Sequence, residues 1–170
     1  VFSEYYRDPQ ATAESFIDGW FKTGDCGELN ADGTYKITGR SKDKFKTGKG
    51  KYVAPVPIES LLSANNDIEQ VCVMGAGRKQ PVALLVLTHD VDGSDVGVVN
   101  RLQQTLIEVN ATLENHQKLD FLFICKEAWS IENDLLTPTM KIKRNIVEQK
   151  YQDLVAKELV GDVILEEDMA

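Results

Sequence analysis

The chain has 170 residues, is 42% hydrophobic and 27% charged, and carries a formal net charge of -8. A length of this order holds one domain with a core, or a small domain and part of another, and the second is expected here. The acidity argues against nonspecific nucleic-acid binding, which draws on cations, and the longest apolar run, residues 82–87, is too short to span a bilayer.

Three cysteines, Cys26, Cys72 and Cys125, are odd in number and lack CxxC spacing, and two lie inside apolar runs. That usage predicts reduced thiols and a cytoplasmic protein. No charged-then-apolar leader follows Val1, so no signal peptide is expected in these residues.

In chain order, Asp8-Pro9 opens a turn and a short helix over residues 10–16, and Trp20-Phe21 enters a strand. Asn30-Ala31-Asp32-Gly33 is a hairpin signal between strands at 26–29 and 34–38, because Asp-Gly readily supplies positive φ. The first forty residues hold too few apolar side chains for a core of their own. Residues 40–51 then place six basic residues against a single acid, Asp43, in a stretch that turns on glycine. On an acidic chain such a segment suits a phosphate-bearing ligand.

From residue 43 the pattern becomes that of an α+β unit. Pro55 and Pro57 introduce a helix over 57–64 with Ile58, Leu61 and Leu62 on one face. The valine- and leucine-rich runs 68–74 and 81–88, parted by the loop 75–79, read as two antiparallel strands. Leu102, Leu106, Val109 and Leu113 give an amphipathic helix over 96–115, and residues 121–125 give a third strand. Val147, Tyr151, Leu154, Val155 and Leu159 form a last helix, and Glu166-Glu167-Asp168 reads as a solvated tail. The expected fold is a central sheet of about three strands flanked by helices, preceded by a β-hairpin. His89 and His116 are expected on the surface, Trp20 and Trp129 in packing, and Cys26 as a small buried side chain; no metal ligands are assigned.

Taken singly, each polar motif has a plainer reading. Residues 40–51 alone suggest a solvated hairpin, Asp25 a turn residue and residues 141–144 a charge cluster beside a helix. Four motifs in order change this. Residues 18–25 (DGWFKTGD), 39–43 (GRSKD), 53–59 (VAPVPIE) and 136–144 (LTPTMKIKR) resemble the late motifs of the acyl-adenylate-forming, AMP-binding superfamily. The last has the form of the long-chain fatty acyl-CoA synthetase branch, and residues 5–9 with 12–14 are similar to the segment that leads into these motifs.

The resemblance implies the rear part of a two-step ligase that activates a fatty acid with ATP to acyl-AMP and passes the acyl group to CoA. Residues 1–40 would be the distal end of the large domain, 41–42 the hinge and 43–170 the mobile C-terminal domain. Lys141 would be the adenylation lysine, Asp25 and Arg40 would hold the nucleotide ribose, and Lys42 would be the hinge residue. Lys46, Gly48 and Gly50 would lie on the loop that meets CoA, with either glycine beside the pantetheine arm. Many relatives carry glycine where Met140 stands. The magnesium ligand, the phosphate loop and the acyl pocket are expected in the large domain, so the 170-residue piece alone is expected to be inactive. Expected partners are fatty acid, ATP, CoA and the enzyme's own N-terminal domain, with no nucleic acid; peripheral membrane contact of the whole enzyme stays open. Two other readings are a relative that loads or reduces its acyl-adenylate on a carrier protein, and a non-catalytic phosphate- or nucleic-acid-binding module.

Overall fold

The computed structural model describes residues 1–157 and 159–169 and divides into two units, Val1–Asp43 and Lys44–Ala170. In the first, Asp8 caps helix α1 (Pro9–Ser15) by accepting the Ala11 N–H at 2.9 Å, with proline at the position whose own N–H would be unpaired. Strands β1 (Phe16–Ile17) and β2 (Trp20–Phe21) pair across Asp18-Gly19, both at positive φ, as a tight two-residue hairpin requires. Strands β3 (Asp25–Leu29) and β4 (Tyr35–Arg40) form the expected second hairpin, with a register shift between Cys26 and Gly27. No residue of this unit is buried. Its rings gather instead, Phe2 meeting Tyr5, Phe16 and Phe21 at centroid distances of 4.9 to 5.6 Å. Trp20 departs from the expectation of a packing residue, since it lies 78% exposed, and Cys26 is half-buried rather than buried.

The second unit opens with β5 (Phe45–Lys46) and β6 (Tyr52–Val53), a short antiparallel pair. The basic segment is therefore not a loosely solvated hairpin: Phe45 and Val53 enter the core, and the Thr47 side chain is buried as well. Helix α2 (Pro55–Leu62) begins two residues earlier than the spacing predicts, with both prolines in its first turn, and buries Ile58 and Leu62. Strands β7 (Ile68–Met74) and β8 (Val82–Leu87) pair antiparallel. Helix α3 (Val96–Thr112) is capped by Asp95, which accepts the Val98 N–H at 3.0 Å. Strand β9 (Leu122–Ile124), helix α4 (Arg144–Val155) and strand β10 (Val163–Leu165) complete the chain.

The sheet order is β10-β9-β8-β7, with β8, β9 and β10 parallel. It holds four strands rather than about three. The added strand follows from two crossovers, β8-α3-β9 and β9-α4-β10, because parallel neighbours need a helix between them. Alternation along the strands then divides the core. Val71, Val73, Ala83 and Leu85 face α2 and α3, whereas Cys72, Met74, Val82 and Leu84 face α4. With helices on both faces the strands must be apolar throughout, which explains the unbroken runs in the sequence. The acidic stretch after β10 is a short 3-10 turn, Glu166–Met169, in which Glu167 and Asp168 are exposed as expected, while Glu166 is half-buried and accepts the Lys126 N–H at 2.8 Å. Leu159 lies beyond the end of α4 but packs against the cluster beneath it.

Candidate functional site

In the first unit, the pairing of β3 and β4 sets Asp25 directly opposite Arg40. Arg40 Nε stands 3.0 Å from Asp25 Oδ1, and the carboxylate is one-third exposed. The approach to Asp25 is a turn: Gly24 has φ of 78°, Thr23 Oγ1 accepts the Asp25 N–H at 3.0 Å, and Gly24 O accepts the Ser41 N–H at 2.8 Å. A carboxylate and a guanidinium thus stand together on one exposed strand end. Lys42 lies in the 3-10 turn Ser41–Asp43 that follows, and the boundary of the units falls between Asp43 and Lys44.

In the second unit, Lys46 ends β5, and Gly48 and Gly50 lie in the β5–β6 connection that follows. Thr47 closes it by donating its N–H to Lys51 O at 2.8 Å, and Gly50 turns it at φ of 78°. The loop is docked on the β7–β8 turn. Gly48 N–H donates to Arg78 O at 2.7 Å and Gly77 N–H to Lys46 O at 2.9 Å. A Cβ on Gly48 would come within 2.7 Å of Gly77 O, so this glycine is required by backbone contact with its neighbour loop. Gly50 has no such neighbour, its nearest being the flexible Lys46 Cε at 3.7 Å. Lys46 Nζ lies 5.9 Å from the centre of the Tyr52 ring, so the loop's cation is loosely held against an exposed aromatic.

Lys141 stands on a separate turn. Leu136 and Ile142 form an antiparallel bridge, Thr137 N–H donates to Lys141 O at 2.8 Å, and Lys141 N–H donates to Thr137 Oγ1 at 3.1 Å. The tightness of that turn forces Met140 to φ of 59°, the left-handed region that favours glycine. Helix α4 then starts at Arg144 with no side-chain cap and no acid in its first turn. Three cations, Lys141, Lys143 and Arg144, therefore crowd the end of a helix where the backbone dipole is already positive. Two are neutralised. Lys143 pairs with Asp134, and Arg144 Nη2 pairs with Glu59 Oε1 at 2.7 Å and Oε2 at 2.9 Å. Lys141 is exposed and belongs to none of the ion pairs among the described residues.

The Glu59–Arg144 pair is the part of the site that sequence reasoning missed. Both residues stand in motifs that resemblance singles out, but nothing in their spacing says that they meet across 85 positions. Arg144 also donates to Val73 O at 2.9 Å and to Cys72 Sγ at 3.3 Å, while Glu59 accepts the Val73 N–H at 2.7 Å. Helix α2, strand β7 and the start of α4 are thereby joined at one point.

Cys72 and Cys125 are buried and their thiols are pushed up to about 12, chiefly by desolvation, which leaves them neutral and unsuited to nucleophilic work. His89 is fully exposed beside Asp90, and His116 is largely covered and faces Glu114 at 3.4 Å. Among the described residues no group of three or more His, Cys, Asp or Glu side chains is placed to hold a metal ion.

A family model described as the AMP-binding enzyme C-terminal domain matches residues 42–158. The chain belongs to this family. The AMP-binding C-terminal match takes in Lys46, Gly48, Gly50, Glu59, Lys141 and Arg144, and it begins at Lys42. Over 92% of its length the chain is 31% identical to fatty acyl-CoA synthetase B of Dictyostelium discoideum, and over 85% it is 35% identical to long-chain-fatty-acid–CoA ligase 5 of Rattus norvegicus. It covers 26% and 24% of those proteins, about a quarter of each. The solved A-PCP didomain of carboxylic acid reductase from Segniliparus rugosus in complex with AMP is similar in fold, with a TM-score of 0.74 at 25% identity over 90% of this chain and 22% of that one.

Proposed function

We propose that the chain is the C-terminal part of an ATP-dependent long-chain fatty acid–CoA ligase, which forms acyl-AMP and then the CoA thioester. The observation that carries this reading is the start of α4, where two of three clustered cations are matched by carboxylates and Lys141 is left for an external anion. In the first step a fatty carboxylate attacks the α-phosphate of ATP, and both reactants are anionic. An ammonium placed between them stabilises the charge that builds up in the transition state, and Lys141 is assigned that role. Asp25 accepts hydrogen bonds from the ribose hydroxyls, and Arg40, whose Nε lies 3.0 Å from Asp25 Oδ1, joins it at the ribose. Lys42 serves as the hinge between the two half-reactions, and Lys46 and Gly50 border the passage of CoA. Gly48 supports that loop from behind through its contact with Gly77.

The relatives' names support fatty acids as substrates and CoA as acceptor. Magnesium would accompany ATP; among the described residues no group of three or more His, Cys, Asp or Glu side chains is placed to hold it, and no step is assigned to it. Free, mostly buried cysteines support a cytoplasmic location, with a peripheral membrane contact of the whole enzyme compatible with a fatty substrate. The likeness to a didomain that includes a carrier protein favours one alternative acceptor, a protein-borne phosphopantetheine. The test is AMP release by the full-length protein across acids of increasing chain length, with CoA and with a carrier protein as acceptors. Activity rising with acids of long chain and requiring CoA supports the ligase; AMP release only with short or aromatic acids, or only with the carrier, overturns it.

A further inference from the structure

The Glu59–Arg144 pair has a consequence for Lys141 that goes beyond holding the fold. Its side chains are only 13% and 19% exposed, and the pair lies at the first residue of α4, three positions after Lys141. Between the two runs a short, stiff connection: Ile142 is bridged to Leu136, and Lys143 N–H donates to Leu135 O at 2.9 Å. Arg144 meets both oxygens of Glu59 on α2 and the Val73 carbonyl on β7. Removing the carboxylate would take from the guanidinium a partner that meets it with both oxygens, at the end of a helix where the backbone dipole is already positive.

We infer that Glu59 is a positioning residue for Lys141: by clamping Arg144 against β7 it fixes where α4 begins, and so fixes the turn that presents the lysine. This rests on the reading of Lys141 as the group that assists adenylation. In this inference Glu59 acts on Lys141 through Arg144 and through the Val73 N–H that it also accepts. Between α2, β7 and the turn lies an open groove lined by Val56, Glu59, Ser60, Ser63, Met140 and Ile142. The ion pair is a firm connection along one edge of this groove.

The experiment uses the full-length protein and reads each half-reaction separately. Glu59→Gln keeps the size of the side chain and an oxygen for the Val73 N–H but removes the charge. It is expected to lower the adenylation kcat by about 10²-fold, the scale of a 1 Å misplacement. The KM for ATP and the rate of thioester formation from supplied acyl-adenylate should stay near wild type. Arg144→Lys, which keeps charge but loses the two-pronged geometry, should act in the same direction to a smaller degree. Lys141→Ala combined with Glu59→Gln should be no slower than Lys141→Ala alone. Amide exchange gives a readout independent of activity, and serves if a variant folds poorly: Lys141 and Lys143 N–H groups should lose protection in Glu59→Gln before β8 does. If Glu59→Gln slows both half-reactions alike, in step with its loss of folded protein, the pair is structural only and the inference is overturned. If Lys141→Ala is slow and Glu59→Gln is not, the role of Lys141 stands and that of Glu59 falls. If Lys141→Ala adenylates at the normal rate, the reading of Lys141 falls and the inference with it.

Discussion

Met140 shows how one residue carries backbone strain beside a functional group. The turn that presents Lys141 needs φ of 59° at this position, and an L side chain there crowds its own carbonyl. Met140→Gly is expected to raise stability by up to about 1 kcal/mol, the left-handed penalty less the added freedom of the unfolded chain, while Met140→Val should lower it by a similar amount. Denaturant titration of the three proteins measures the order. A second effect at this scale belongs to Cys72 and Cys125, whose thiols are raised from 9.0 to about 12 by burial. In the unfolded chain they ionise first, so the stability that comes from keeping them neutral is complete below pH 9 and is lost as the pH rises toward 12. Each thiol should cost about 1.4 kcal/mol per pH unit in that window. Unfolding free energy measured from pH 8 to 11 should fall less steeply in Cys72→Ala, and Cys26, half-buried, should react first with a thiol reagent.

At the scale of elements, the docking of the β5–β6 loop on the β7–β8 turn separates two glycines that the sequence leaves equivalent. Gly48→Ala drives a methyl against the Gly77 carbonyl, and a clash of this kind costs about 1–3 kcal/mol. Gly50→Ala keeps the contact and bears only the penalty of its positive φ, about 1–2 kcal/mol. Hydrogen exchange distinguishes them: the Gly48 and Gly77 amides should lose protection in Gly48→Ala and keep it in Gly50→Ala. The same scale shows what could be read beforehand. Long periodic runs such as α3 and the apolar β7 and β8 were legible because each carries its period over many residues. The two-residue β5 and β6 and the three-residue β10 were not, since pairing decides strands that short. Charge marked Glu167 and Asp168 as solvated, as they are, but could not reveal that Glu166 accepts the backbone N–H of Lys126.

At the scale of the whole molecule, the candidate residues fall in both units, Asp25 and Arg40 in one and Lys141 and the 46–50 loop in the other. The motifs were legible as separate sequences, and the Asp25–Arg40 pair follows from hairpin register. The Glu59–Arg144 contact was hidden, because folding and not spacing joins α2 to α4. Lys42 lies in the turn Ser41–Asp43 at the boundary of the units, where a change of φ and ψ disturbs no buried side chain of the first unit. That placement supports a division of labour testable by single-turnover kinetics of each half-reaction in the full-length protein. Lys141→Ala should slow adenylation by about two to three orders of magnitude, the scale for losing one charge-stabilising group, and should spare thioester formation from supplied acyl-AMP. On the proposed reading of Lys42 as the hinge, Lys42→Pro should do the reverse, since proline fixes φ and restricts the residue before it and so would hinder rotation at this turn. Equal losses in both half-reactions for either variant would remove the distinction between a lysine that serves chemistry and one that serves rotation.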